Sequence, residues 1–432
     1  MTSDQPSSNP PANHRPIGTA RSHDPISSLT LVRGVGPHVW DAAGSRYLDF
    51  IGGYSSCTLG HSHRRLVAAA IDQLQRITLA HAANSEARNS LEEKLCEVIG
   101  AQSSEPSQPL QQKVWLTTGG ARAVELAWKI ASTHRPGGIL RFDLAYHGRS
   151  LATATISDTK RAPPFGSPPH PDKVVPFPVN AWAGPDALAE QCKRSLAMAH
   201  AILEKHHSDL SMLLMEPAIG SRGYYFAPPW FCRELAELAH HYGLLVVSDE
   251  IQMGLGRLGA WSVACVDGWE PDLVILGKAL GGGIVSMGAV FGAAHLMDEV
   301  PEGIESETYA AMPLGCRIGL EVLEVLDQEG WIRSSAERGE RWRREIREIL
   351  PASITVDGRG MGTVLEFSGG NGSGNGSGAE SARNWAIDLS RLGLLLHLTG
   401  PARDRLAVIP PLNVSCEALA EARDILARKA TS

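Results

Sequence analysis

Between about residues 60 and 300 the apolar positions of the chain follow two alternating periods. Short, nearly unbroken apolar runs occur at Val114–Thr117, Ile139–Phe142, Leu210–Met215, Leu244–Ser248, Leu273–Leu276 and Gly288–Phe291. Runs of this length read as strands buried on both faces. Leu66–Leu79, Leu91–Ile99 and Ala121–Ser132 carry apolar residues three and four apart, the spacing of amphipathic helices. Strand and helix signals in alternation predict an α/β fold: a mostly parallel sheet with helices on both faces.

The pattern changes at either end. His38–Phe50 alternates polar and apolar residues around Gly44, which predicts a hairpin. After about residue 313 come helices at Pro313–Asp327 and Ile332–Ile349, then strands near Ile354–Val356 and Thr363–Phe367. A helix at Ala379–Leu392, a strand at Leu394–Leu398 and a helix from Cys416 complete the chain. This mixture predicts a smaller α+β domain. Four parts follow: a disordered tail over 1–25, an N-terminal segment 26–60 packing with the small domain, a large domain 61–312 and a C-terminal small domain 313–432. The run 369–378 is composed of Gly, Ser and Asn only and reads as a flexible surface loop.

Composition narrows the function classes. A formal charge of −7, with no basic cluster, speaks against nucleic acid. Seven scattered cysteines without a CxxC pair suggest reduced thiols in a cytoplasmic protein, with neither a disulfide framework nor a metal site. No apolar run is long enough to span a membrane, and the polar, Pro- and Ser-rich start lacks a signal-peptide core. The expected partners are therefore small molecules.

The candidate chemistry sits at the ends of two predicted strands. Leu244–Ser248 runs into Asp249-Glu250-Ile251-Gln252, and Leu273–Leu276 runs into Gly277-Lys278 and then Gly281-Gly282-Gly283. Open α/β sheets bind ligands at the carboxyl ends of their strands. A lysine and a carboxylate delivered there suit pyridoxal 5′-phosphate (PLP): the lysine forms a Schiff base, and the carboxylate pairs with the ring nitrogen. Burial lowers a lysine pKa and makes the amine a nucleophile. Gln252 can donate to the cofactor's phenolic oxygen. Thr117-Thr118-Gly119-Gly120-Ala121 joins a strand to a helix, where backbone N–H groups cradle phosphate. Tyr146-His147-Gly148-Arg149 follows another strand. Tyr146 can stack on a ring and Arg149 can hold a carboxylate.

Together these motifs resemble the class III PLP-dependent aminotransferases of fold type I, over about residues 30–425. Asp249–Arg257 and Leu276–Gly283 are similar to the family's cofactor signature. Gly53-Tyr54-Ser55-Ser56, Leu59–His63, the Tyr-His-Gly-Arg motif, Thr308-Tyr309, Pro313–Cys316 and Ile409–Leu412 are closest to its ornithine aminotransferase branch. The resemblance implies a large domain built on a mostly parallel seven-stranded sheet, and a homodimer with shared sites. It implies Lys278 as the Schiff-base lysine, Asp249 as the ring-nitrogen partner, Gln252 as the phenolic-oxygen ligand and Tyr146 as the stacking ring. Gly120 and Ala121 would bind phosphate, Thr308 would reach the phosphate of the neighbouring subunit, and Tyr54 and Arg149 would recognise the amino-acid end of an ornithine-like substrate.

The departures bear on the substrate. The family branch carries a glutamate where this chain has Ser221 and an arginine where it has Ala407; the two form a gate for the carboxylate of the amino acceptor. Losing both suggests a remodelled pocket. Arg122 stands in place of a glutamate, Ala310-Ala311-Met312 in place of Gly-Gly-Asn, and Glu307 in place of a serine. Arg222 and Arg405 are candidates for a relocated carboxylate anchor, with solvated surface arginines as the alternative. Transamination of an ω-amino compound is the first functional reading. Racemisation or another PLP outcome is the second, because a racemase needs no dicarboxylic co-substrate.

Overall fold

A computed structural model of the chain describes Ile26 and residues 29–80, 83–102, 112–158, 172–179, 184–367 and 377–432. The tail over 1–25 and nearly all of the 369–378 run lie outside the described residues. Seven strands form one sheet in the order Gln112–Thr117, Gly288–Ala293, Leu273–Leu276, Leu245–Asp249, Leu210–Met215, Gly138–Phe142, Lys173–Val175. Pairing is parallel throughout from Leu273–Leu276 to Lys173–Val175. Gly288–Ala293 runs antiparallel to both of its neighbours.

Successive strand residues face opposite ways, and the two faces collect different helices. Met212, Leu214, Val247 and Ile275 pack with Val124, Ala127 and Ile130 of the helix Gly120–His134. Leu213, Met215 and Val246 turn to the other face, against Cys192, Leu203, Phe231 and Leu235. These come from the helices Gly184–His206 and Pro229–His241, neither of which the apolar pattern reveals. The buried positions of the first include Cys192, Ser195, Ala199 and Leu203, at helical spacing but too small and mixed to stand out.

Two further four-stranded sheets flank this layer. One runs Leu31–Val35, His38–Asp41, Arg46–Asp49, Leu394–Leu395; the other runs Ile354–Arg359, Gly362–Phe367, Arg405–Val408, His397–Thr399. The single strand expected over Leu394–Leu398 is two. Leu394–Leu395 pairs with Leu48 and Asp49, whereas His397–Thr399 pairs with Arg405–Ala407 in the other sheet. A shared core joins Leu48, Phe50, Leu59 and Leu66 to Val322, Leu365, Leu406 and Ile425. Residues of the N-terminal and C-terminal parts of the chain thus share one core.

Candidate active site

Parallel pairing sets Asp249 beside Ile275 at the carboxyl ends of adjacent central strands. The chain continues from Leu276 through Gly277 into a short 3-10 turn, Lys278–Gly281. Both charged groups line one cavity of about 470 Å3, together with Gly120, Ala121, Tyr146, Arg149 and Gln252. Lys278 has φ +37°, a left-handed conformation that costs a non-glycine residue strain and that collects at functional sites.

The helix Gly120–His134 opens onto this cavity. Gly119, the residue before it, brings no side chain to cap the first turn, so the leading N–H groups are available to an anion. A side chain at either glycine would press on its neighbours. A Cβ on Gly119 would fall 2.8 Å from Ser286 Oγ, and one on Gly120 2.9 Å from Ile251 Cδ1.

Asp249 is buried. Its Oδ2 lies 2.7 Å from His147 Nδ1, and its Oδ1 accepts the Ile251 N–H at 3.1 Å. Glu216, also buried, accepts the Tyr146 N–H at 2.9 Å through Oε1. Burial, and then the charge of Asp249, push the Glu216 pKa up, against hydrogen bonds from the Tyr146 and Gly220 N–H groups and the charge of Lys278. Burial also brings the Lys278 amine down to about 8, although Asp249 and Glu216 both favour its charged form. Lys278 is thus an amine available in neutral form near physiological pH. Arg149 places its guanidinium 4.9 Å above the Tyr146 ring, and Gln252 Nε2 donates to the Tyr224 hydroxyl at 2.9 Å.

Four of the residues singled out from the sequence do not line the cavity. Thr308 is exposed, on a segment held by ion pairs from Glu305 to Arg122 and Lys129, each at 2.5 Å. Tyr54 is 44% exposed and stacks edge-on against His397, with centroids 4.8 Å apart. The Ser221 hydroxyl is buried without a partner, and Ala407 is enclosed in an apolar cluster with Tyr224, Met253 and Val364. The two candidate anchors are both committed elsewhere. Arg222 pairs with Asp158. Arg405 is fully buried, paired with Glu366 and set 3.8 Å over the Tyr225 ring. Neither is a surface arginine, and neither faces the cavity as a free guanidinium.

His147 stands in the sequence only as a letter of the Tyr-His-Gly-Arg motif, and Glu216 only as the polar residue after the apolar run Leu210–Met215. Their contacts span 102 and 70 positions of chain, and no local spacing signals them.

The cavity fits PLP on its own chemistry. It offers an uncapped helix N-terminus for a phosphate, a buried carboxylate for a cationic ring nitrogen and a neutral amine for an aldehyde. Residues 19–429 match the model of the family described as aminotransferase class-III. The chain is 32% identical to a 2-aminoadipate transaminase of Pseudomonas putida, over 93% of its own length and 95% of that protein. It is 30% identical to an ornithine aminotransferase of Bordetella pertussis, over 95% and 94%. The solved ornithine aminotransferase of Toxoplasma gondii, which holds PLP at partial occupancy in its active site, superimposes with a TM-score of 0.78 at 26% identity, covering 93% of this chain and 89% of that one. By sequence and fold, therefore, the chain belongs to the class-III aminotransferases and is a PLP-dependent transferase.

Proposed function

We propose that this aminotransferase acts on the terminal amine of an ω-amino compound, and that its acceptor site differs from that of the dicarboxylate-using branch. The observation that carries this reading is the set of cations around the cavity. Arg149 is the one guanidinium among the described lining residues, so the site has a single strong carboxylate anchor. Arg222 and Arg405 are occupied by Asp158 and Glu366. The relatives' activities toward 2-aminoadipate and ornithine support a substrate with an amino-acid end and a separate reacting end.

In this reading Lys278 holds the cofactor through Nζ, and Gly120 and Ala121 supply backbone N–H groups to its phosphate. Asp249, held by His147, would pair with the ring nitrogen, Tyr146 would stack on the ring and Gln252 would serve the phenolic oxygen. Thr308 serves the phosphate of a second copy in a homodimer. Tyr54 and Arg149 orient the substrate's amino-acid end, and Ser221 and Ala407 leave the acceptor end without its gate. Bound PLP supplies an electron sink for the C–H electrons at the reacting carbon. Lys278 Nζ would take the proton from that carbon as a general base and return one as a general acid.

We divide the chain accordingly into a cofactor-binding unit, 61–312, and a second unit formed by 313–432 with 26–60. No helix among the described residues is long and apolar enough to cross a membrane. Seven unpaired cysteines support a cytoplasmic location.

Mixing the holoenzyme with L-ornithine or another ω-amine, without any acceptor, tests the reading. Conversion of the bound cofactor to its amino form, seen as loss of the visible band, is the expected result. Exchange of the Cα hydrogen for deuterium without that conversion would sink transamination in favour of racemisation.

A further inference from the structure

Tyr224 is a fully buried residue in a left-handed conformation, φ +55°, which its surroundings must hold in place. Its hydroxyl accepts one N–H of the Gln252 amide at 2.9 Å. Gly220 leaves room for the Gln252 amide in this pose, since a Cβ there would fall 2.7 Å from Gln252 Oε1. A carboxamide has two N–H donors. With one given to Tyr224, the other is left for a group in the cavity that Gln252 lines. The Tyr224 ring shares an apolar cluster with Ala407, Met253, Val364 and Ile409. Ala407 is fully buried there, so no open space awaits a longer side chain at that position.

We propose that Tyr224 is a positioning and specificity residue: its hydroxyl fixes which edge of the Gln252 amide faces the cofactor, and its ring fills the room beside Ala407 that a carboxylate-binding arginine would need. The proposal rests on the assignment of the Lys278 cavity as the cofactor site. It adds a reason why the gate is absent. Ser221 and Ala407 are two parts of a remodelling whose third part is the phenol, and the site it leaves suits substrates whose reacting carbon bears no carboxylate.

Two variants test the two halves. Tyr224→Phe keeps the ring and removes only the hydroxyl, leaving a Gln252 N–H without its acceptor. The apparent Kd of the apoprotein for PLP, measured by absorbance titration, should rise about tenfold, and the pH midpoint of the bound cofactor's visible band should move. An unchanged Kd and midpoint overturn the positioning role. For the ring, kcat/KM for 2-oxoglutarate is compared between Ala407→Arg and Ala407→Arg with Tyr224→Val, both checked for native near-UV circular dichroism. The double variant should gain at least about tenfold over the single one, the order expected of a new bidentate carboxylate contact. Equal values overturn the steric role. Lys278→Ala, run alongside, separates failures: if it keeps the visible band, the cofactor-site assignment fails; if it loses the band while Tyr224→Phe changes nothing, only the Tyr224 inference fails.

Discussion

Lys278 owes its lowered pKa, about 8, to burial, opposed by two carboxylates that are remote in sequence, Asp249 and Glu216. Capture of PLP by the apoprotein requires the neutral amine, so its rate should climb with pH through a midpoint near 8. Removing a carboxylate that favours the ammonium form must lower that midpoint. Asp249→Asn should therefore shift the capture profile to lower pH in stopped-flow absorbance; a midpoint that stays or rises contradicts the electrostatic account. Seven of the residues named from sequence, Asp249, Lys278, Gln252, Gly120, Ala121, Tyr146 and Arg149, line the cavity. They were legible because strand ends and helix starts announce themselves locally. The partners that tune them were not. His147 and Glu216 act through contacts that only the sheet creates, and the fates of Arg222 and Arg405 depend on Asp158 and Glu366, which no spacing rule links to them.

At the scale of elements, the segment carrying Thr308 is fastened to the helix Gly120–His134 by charge. Glu305 is nearly buried, and Arg122 and Lys129, one side of that helix, each approach it to 2.5 Å. Lys129 Nζ also donates to the Ile304 carbonyl at 3.1 Å, and Glu307 bonds the Thr118 hydroxyl at the mouth of the phosphate cradle. Arg122 and Glu307 are two of the departures from the family pattern, and here they belong to one network. The two cations are about one-third exposed, so solvent screens part of the attraction. Glu305→Gln should cost about 1–2 kcal/mol in urea unfolding, less than a fully buried pair would. A double-mutant cycle with Lys129→Met should show coupling that shrinks in high salt; strictly additive losses would rule the latch out. Elements were legible where one period ran unbroken, as in Leu210–Met215 and Leu273–Leu276. The break at Leu396 was not, because it arises from two sheets competing for one apolar run.

The whole molecule presents an apolar stripe that its own fold leaves uncovered. Val67, Ile71 and Leu74, at helical spacing on Arg64–Leu74, are 38%, 54% and 54% exposed, and Ile77 and Leu79, just beyond the helix, are exposed too. Tyr309, next to the exposed Thr308, is 61% exposed. The uncovered stripe is a face that the second copy of the proposed homodimer, in which Thr308 would serve the neighbouring phosphate, can cover. In that proposed homodimer neither protomer would be complete alone. Lys278→Ala should be inactive for want of the amine, and Thr308→Ala should bind PLP weakly for want of the hydroxyl. Mixed and exchanged at equal concentration, the two would form heterodimers in which Lys278 of the Thr308→Ala chain meets Thr308 of the Lys278→Ala chain. One site in each heterodimer is then intact. With random pairing, half of the dimers are mixed, so activity should return to roughly a quarter of wild type. If Thr308 served its own chain, every site in the mixture would still lack one group and no activity would return. Charging the stripe with Ile71→Lys and Leu74→Lys should weaken dimerisation and PLP binding together, as read by sedimentation velocity and cofactor titration. Loss of the dimer with PLP affinity intact would show that the phosphate site is complete within one chain.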